Sequence, residues 1–547
     1  MGTDWETVHP PAGAARRYRE QGWWRDRTFS DDLRDAAAGT PDETAFLTWR
    51  RREGRLIGLT FREFDVRADA VAGALRQLGV GRGDVVAHQL PAWWEAPVLL
   101  VACLRVGAVA APLRMLFGPY ETERALAATG AVACVVPDEY DGVGQARLLL
   151  EQAPRLPSLR YRIVVGDAAA TGAISFEDAF LGRPAAAPPD GLTSRAPDDV
   201  CALLMTSGTT GRSQLIAHSA NTLHAAPRRI TPEPGQLMAV TSGMSFVTAT
   251  RRALHATSRG LNALFSDDRS PECWLDLIER TGATEVQASP RMLRALAAEQ
   301  RRRARDVSSL RSLFSFGGPL PRTVLAEVRE NLCPVVQNIW GMTECGNVLS
   351  SDPADTSEHA GRSLGRMGQG GEVRLEPAGP GHHHGDVFRL YVRGPAACLA
   401  TVDRESGRIG WTPDDDEGWL DTGDLVTPDG ADGLRFVGRA AERIGDAWQI
   451  PVGDVEDALL AHPGIEDAVL VPWQHADGRE TPCAAVISPA PLELHDVRDH
   501  LDRLGFHESC LPTRIEHVDE FPRTELGKVR RLALLDRLRE RAAAPAG

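Results

Sequence analysis

The sequence predicts an α/β protein with a large N-terminal domain of packed mixed sheets and helices, followed by a much smaller unit. Three observations predict it. The chain has 547 residues, more than one hydrophobic core usually serves, so two or three domains are expected. Short apolar runs closed by turn residues alternate with segments that carry apolar side chains at helical spacing, the pattern of largely parallel sheets crossed by helices. Near the C-terminus the rhythm changes to a helix, a turn, a strand and a second amphipathic helix, within about a hundred residues, a common domain size.

Taken in order, residues 59–80, LTFREFDVRADAVAGALRQLGV, read as a helix that stops at a glycine turn. DVVAHQL (84–90) reads as a strand. APVLLVACLRVGAVAAPL (96–113) is apolar but broken by Arg105 and by glycine, so it predicts a buried helix running into a strand, not a membrane span. ACVVPDEY (133–140) and RYRIVVGD (160–167) are further strands, and LGRPAAAPPDGLTSRAPDD (181–199) is a Pro/Ala-rich surface linker. VCALLM (200–205) is a strand that feeds a glycine-rich loop. GDVEDALLAHPGIEDAVLVPW (453–473) and LELHDVRDHLDRLGF (492–506) build the small unit. The three histidines of GHHHGD (381–386) lie adjacent in a Gly/Pro loop and cannot all face one ion, so they read as a solvated turn.

Composition excludes several function classes. Hydrophobic residues make up 43% and charged residues 25%, as in globular proteins, and the formal charge is −14 with no basic block. Nucleic acid and anionic membranes are therefore not expected partners. The start, MGTDWETVHPPAG, shows no signal-peptide pattern. Nine cysteines are scattered without CxxC spacing, which argues against a zinc site or a disulfide framework and for a reducing cytoplasm.

The chemistry concentrates in five segments. TSGTTGRSQLIAHS (206–219) places glycines at 208 and 211 among the hydroxyls of Thr206, Ser207, Thr209 and Thr210, a composition suited to turning backbone N–H groups and hydroxyls toward phosphate. No Gly-Lys-Ser/Thr follows, so it is not a Walker loop. NIWGMTECG (338–346) sets Thr343 and Glu344 after a glycine turn, where a carboxylate can hold Mg2+ against phosphate oxygens. GWLDTGDL (418–425) offers Asp424 to ribose hydroxyls, FVGRAAERI (436–444) offers Arg439 to ribose or phosphate, and PRTELGKVRR (522–531) carries Lys528 on a loose-looking glycine turn. Singly these have ordinary readings as a capped helix, a surface acid, a solvated base or a charged tail. Their occurrence together, in this order, points to a nucleotide enzyme.

Across nearly its whole length the chain resembles the adenylate-forming superfamily of acyl-CoA synthetases, aryl-acid ligases, adenylation domains and luciferases. YREQGWW (18–24) is similar to the aryl-acid ligases; WGMTEC and QIPVGDVEDALLAHPGI (449–465) are similar to the cyclohexanecarboxylate-CoA ligase branch. The resemblance implies an N-terminal adenylation core (1–438) and a small mobile α+β C-terminal lid (439–547), with a hinge just after Arg439. It implies that a carboxylate attacks the α-phosphorus of MgATP, giving an acyl adenylate and pyrophosphate, and that the lid then turns so that an acceptor takes the acyl group. Lys528, Thr343 and Glu344 take catalytic positions, Glu344 through the metal. Thr206, Ser207, Gly208, Thr209, Thr210, Gly211, Gln214, Gly317, Gly318, Pro319, Trp340, Gly341, Met342, Asp424 and Arg439 surround the nucleotide. Phe246, Thr250, Arg251 and Arg252 fall in the stretch that lines or backs the substrate pocket.

The sequence departs from that family in three places. The usual loop ends Pro-Lys-Gly, whereas Ser213, Gln214 and Leu215 stand here; exchanging a charged for a neutral hydrogen bond to phosphate costs roughly 1–2 kcal/mol. Arg251 and Arg252 enter the pocket stretch; one is expected on the solvent side of a helix, and an inward one favours a small or acidic anion. In the lid, RIGDAWQIPV (443–452) puts Asp446, Ala447 and Trp448 where related CoA ligases line the pantetheine path, and Ala441 occupies the hinge. The readings are thus an ATP- and Mg2+-dependent ligase for a small aryl or alicyclic carboxylate, with CoA, a carrier protein or an amine as acceptor; a diazotase-like enzyme that adenylates nitrite for transfer to an aromatic or enol-type amine; and a degenerate, non-catalytic nucleotide binder.

Overall fold

The computed structural model describes residues 4–182, 195–206, 214–225, 235–260, 262–318, 320–352, 363–368, 370–378, 387–403, 408–411, 418–430, 433–439, 444, 450, 452–475, 480–506, 508–525 and 527–543. Within them, a 13-stranded and a 9-stranded sheet form the main body, and a 3-stranded sheet lies C-terminal to them.

The predicted helices and strands are present. The helix Phe61–Gln77 is opened by a capping box in which the Thr60 hydroxyl accepts the Glu63 N–H. The apolar stretch after it divides into the helix Glu95–Val106 and the strand Val109–Pro112, every residue of both buried. Together with the helices Phe29–Gly39 and Val247–Arg259, these helices fill the layer between the two large sheets, where Phe29, Leu33, Phe46, Phe64, Val86, Leu99 and Phe265 join one core. The helix Glu95–Val106 has no solvent side, and its sequence is accordingly apolar around nearly the whole circumference.

The sheets are less parallel than the sequence suggests. The strands Leu237–Val240, Asn262–Ser266, Glu285–Ala288, Ser312–Phe316 and Val336–Met342 are parallel neighbours at the centre of the larger sheet. After Met342 the chain returns through the antiparallel strands Gly346–Ser350, Ser363–Met367, Leu420–Asp429 and Gly433–Arg439. The turns between Met342 and Gly346 and between Asp429 and Gly433 are too short for a crossover, which a parallel neighbour needs, so these pairs are antiparallel. The expected surface linker is also corrected at its end. Residues 183–194 lie outside the described residues, but Arg195 is fully buried and pairs with Glu6 at 2.5 Å; an ion pair draws this arginine into the body. The GHHHGD turn lies outside the described residues. No helix among them is long and apolar enough to cross a membrane, and all nine cysteines are unpaired.

In the C-terminal sheet, Asp467–Gln474 runs antiparallel to Glu480–Ile487, which runs parallel to Arg514–His517. Alternation decides its two faces. Leu470, Ala484 and Val486 meet the helices Val452–Leu460 and Leu494–Arg503, whereas Val469, Val471 and Ala485 meet the helix Arg531–Ala543. Glu456 ties the layers together: its carboxylate takes both arms of Arg531 at 2.7 and 2.9 Å and the Leu470 N–H at 2.6 Å. Replacing Arg531 by Ala leaves this half-buried carboxylate short of partners and is expected to cost about 1–3 kcal/mol. Hydrogen exchange should accelerate in Asp467–Gln474 and Glu480–Ile487 and stay unchanged in Val85–His88; uniform acceleration of all three would contradict the assignment.

Candidate active site

A cavity of about 630 Å3 opens where the main body faces the C-terminal unit, and Gly317, Gly318, Trp340, Asp424, Arg439 and Lys528 all line it. Residues up to 211 positions apart in sequence thus meet at one site. Asp424 is deeply buried, and its carboxylate accepts the Trp340 indole N–H at 2.8 Å and pairs with Arg439 Nε at 3.0 Å. The pairing of the strands Leu420–Asp429 and Gly433–Arg439 sets Asp424 directly opposite Arg439. Pro319 lies outside the described residues, while Gly341 and Met342 continue the strand from Trp340 into the turn.

That turn carries Thr343 and Glu344, and three parts of the fold hold it. The His218 Nε2–H donates to the Thr343 carbonyl at 2.8 Å, the Cys398 N–H donates to the Glu344 carbonyl at 2.7 Å, and the Arg251 guanidinium packs against Gly346. Gly346 has φ +69°, and a Cβ there would collide with that guanidinium. Desolvation raises the proton affinity of Glu344, against the opposing fields of Arg439 and Lys528. The carboxylate therefore sits where a cation is electrostatically favoured.

Lys528 stands on a turn that is far from loose. Thr524 donates its N–H to the Lys528 carbonyl at 2.7 Å and accepts the Lys528 N–H on its hydroxyl at 3.2 Å, and Arg523 donates to the Gly527 carbonyl at 2.6 Å. Gly527 has φ +84°, and a Cβ there would lie 2.8 Å from Arg291 Cδ. Only glycine lets the turn approach the main body this closely. Glu525 extends the contact by pairing with Arg269 at 3.0 Å.

At the glycine-rich loop, Thr206 and Gln214 close the neck: the Thr206 N–H donates to the Gln214 carbonyl at 3.1 Å, and the Gln214 N–H donates to the Thr206 hydroxyl at 3.0 Å. Ser207, Gly208, Thr209, Thr210 and Gly211 lie outside the described residues, as do Ala441 and the 446–448 segment.

Phe246 caps the helix Val247–Arg259, and the Thr250 hydroxyl is spent on the Met244 carbonyl at 2.7 Å. The expectation that one of the two arginines faces solvent is wrong. Arg251 and Arg252 are 7% and 4% exposed, because the helix is enclosed between the two sheets. Arg252 turns to the Asn262 carbonyl at 2.9 Å, away from Gly346. Arg251 donates one arm to the Ala225 carbonyl and faces Gly346 with the other, Nη1, which has no hydrogen-bond partner. Burial lowers its pKa to about 10.

Sequence reasoning missed His218, Glu525 and Arg114, whose Nη2–H donates to the Met205 carbonyl at 3.0 Å beside the loop neck. The signal for His218 was a lone imidazole in the otherwise apolar run LIAHS, in register with Gln214 on one strand face. Arg114 carried only a basic residue after an apolar strand, and Glu525 only a charge in the Lys528 turn.

Comparison with known proteins agrees with this geometry. Residues 33–400 match the family described as AMP-binding enzyme, and residues 454–528 match its C-terminal domain. A salicyl-AMP ligase/salicyl-S-ArCP synthetase of Mycobacterium tuberculosis is 32% identical over 96% of this chain and 94% of its own. A 2,3-dihydroxybenzoate-AMP ligase of Bacillus subtilis is 27% identical over 98% of both. Among solved structures, an anthranilate CoA ligase in complex with anthranoyl-AMP superposes with a TM-score of 0.82 at 22% identity, covering 95% of this chain and 98% of that one.

Buried imidazoles, His218 at the site among them, make stability depend on pH. Burial lowers His88 and His218 to about 4, and lowers His255 well below its ordinary value. The unfolded chain binds protons at these positions below pH ~6.5, whereas the folded protein does not until about pH 4. Stability is therefore expected to fall as pH drops from about 6.5 toward 4, by up to ~1.4 kcal/mol per pH unit for each imidazole. Urea unfolding at pH 7, 6 and 5 measures the slope, and a flat profile would contradict neutral burial.

Proposed function

Because the chain belongs to the family of AMP-binding enzymes and is an AMP-forming ligase, we propose that it activates a small aryl or alicyclic carboxylate with MgATP, releases pyrophosphate, and passes the acyl group to CoA, a carrier protein or an amine. The observation that carries this reading is the meeting of Asp424, Arg439 and Lys528 at one cavity, with Glu344 in the electrostatic reach of all three. A non-catalytic nucleotide binder has no use for Lys528 and Glu344 within electrostatic reach of one another.

In the proposed reaction a carboxylate oxygen forms a bond to the α-phosphorus, and the bond from that phosphorus to the oxygen bridging the β-phosphate breaks, its electron pair leaving with pyrophosphate. Two anions must approach. The Lys528 ammonium lowers that barrier by neutralising both the entering oxygen and the phosphate. Asp424 fixes the ribose, and Thr343 with the loop hydroxyls holds the phosphates in line. Glu344 suits Mg2+, which takes one or two carboxylates and completes its shell with phosphate oxygens and water. Among the described residues no cluster of three or more ligating side chains offers a dedicated cage. When bound, the ion would offset phosphate charge.

A second reading, activation of nitrite and transfer to an aromatic or enol-type amine, is favoured by Arg251. Its unpartnered Nη1 lies at the buried side of the Thr343–Gly346 turn, a donor suited to a small oxyanion or to an acid with a second acceptor group.

The deciding experiment is ATP-dependent AMP release with a panel of aryl acids, with and without CoA, beside nitrite plus an aromatic amine. AMP release that requires an aryl acid supports the first reading; release that requires nitrite and yields a diazo product supports the second. Replacing Lys528 by Ala is expected to lower adenylate formation by about 10²–10³-fold while ATP binding stays within a few-fold. Full adenylate formation by that variant would refute the role given to Lys528.

A further inference from the structure

We propose that Glu525 is a positioning residue for Lys528: it docks the turn that carries the lysine between two arginines of the main body, Arg269 and Arg114. The inference rests on the adenylation reading for the work that Lys528 does. Glu525 does not itself line the cavity, so it acts through the lysine.

Arg269 belongs to the main body, in the connection between the strand Asn262–Ser266 and the helix Pro271–Thr281. Glu525 lies 256 positions further along the chain and three residues before Lys528. The Arg269 Nη2–H donates to Glu525 Oε1 at 3.0 Å. That oxygen lies over Gly243, where a Cβ would stand 3.6 Å from it and 4.0 Å from the Phe246 ring. Arg114, whose guanidinium covers the same ring at 4.5 Å, adds a second positive field. The Glu525 side chain is only 9% exposed, and its buried Oε2 has no hydrogen-bond partner.

An acid on a solvated turn has no reason to give up water on these terms. Desolvation raises the proton affinity of Glu525, and the fields of Arg269 and then Arg114 oppose it. Both cations that offset the cost belong to the main body. The buried anion therefore favours one placement of the turn over others. The turn passes that placement on. Thr524, next to Glu525, holds Lys528 through its N–H and its hydroxyl. Arg523 pairs with Asp467 and ties the turn to the C-terminal sheet. On the other side, Gly527 packs against Arg291 of the helix Pro290–Arg302. Lys528 lines the cavity from this frame. A small displacement of the frame moves the ammonium away from the reacting oxygens, which costs rate more than binding.

The test measures ATP–pyrophosphate exchange, with the acid or nitrite that supports AMP release, and hydrogen exchange around Lys528 in the full-length protein. Glu525→Gln keeps the shape and removes the charge. It is expected to lower kcat for adenylation by about 3- to 10-fold, with KM for MgATP and for the acid within about 2-fold. Arg269→Ala should act in the same direction, and it tests the contact from the main body even if the Gln variant does not fold. Arg269→Lys, which keeps the charge, should stay within about 2-fold of wild type. The double variant Glu525→Gln/Arg269→Ala should be no worse than Glu525→Gln alone, because both changes remove one contact. Hydrogen exchange in Glu525→Gln should accelerate around Lys528 and stay unchanged in Glu480–Ile487; a merely structural role would accelerate both. An unchanged kcat in Glu525→Gln, a rise in KM for MgATP at constant kcat, additive losses in the double variant, or acceleration of both segments would each overturn the inference. A wild-type protein that releases no AMP with any acid or with nitrite would instead refute the functional reading, while hydrogen exchange would still report whether Glu525 docks the turn.

Discussion

A single buried carboxylate organises the site. Asp424 is held by Trp340 on one side and Arg439 on the other. Trp340 lies on the strand where parallel pairing gives way to antiparallel pairing, and Arg439 ends the strand Gly433–Arg439. A buried charge with two good partners is stable only in a narrow geometry, and losing either partner leaves it exposed to the full desolvation penalty. The contact therefore fixes where the parallel strands stop, where the last strand of the main body ends, and from what point the chain sets out toward the C-terminal unit. The Thr343–Glu344 turn begins three residues after Trp340 and inherits its position from that junction.

Much of the fold was legible because burial writes itself into periodicity. The helix Phe61–Gln77 carries its stripe and its cap in sequence, and the run from 96 to 113 divides where glycine allows. The antiparallel half was less legible, because only the missing helices between its strands distinguish it from more parallel sheet. The arginine pair misled for a related reason. A helix enclosed on both faces hides the polar side that a surface helix would show, so charge at 251 and 252 carries no information about solvent.

The site was legible in part. Asp424, Arg439 and Lys528 were found as acids and bases in glycine-rich turns, and the structure brings them to one cavity. His218 was not found, because it acts through a backbone carbonyl, and a carbonyl has no letter in the sequence. Arg114 was hidden for a similar reason: its partners are the Met205 carbonyl and the face of an aromatic ring. Position 214 could be read as a missing charge.

The cavity takes its walls from two bodies: Gly317, Trp340 and Asp424 from one, Lys528 from the other. A nucleotide seated there touches both, so its binding free energy includes the work of holding them together. Linkage makes that relation reciprocal. Whatever acceptor engages the C-terminal unit and changes its orientation must change nucleotide affinity by the same factor by which the nucleotide changes the acceptor's. If an acceptor engaged the C-terminal unit in a way that drew Lys528 from this wall, it would oppose the nucleotide, and ordered release of pyrophosphate before acceptor entry would need no separate gate.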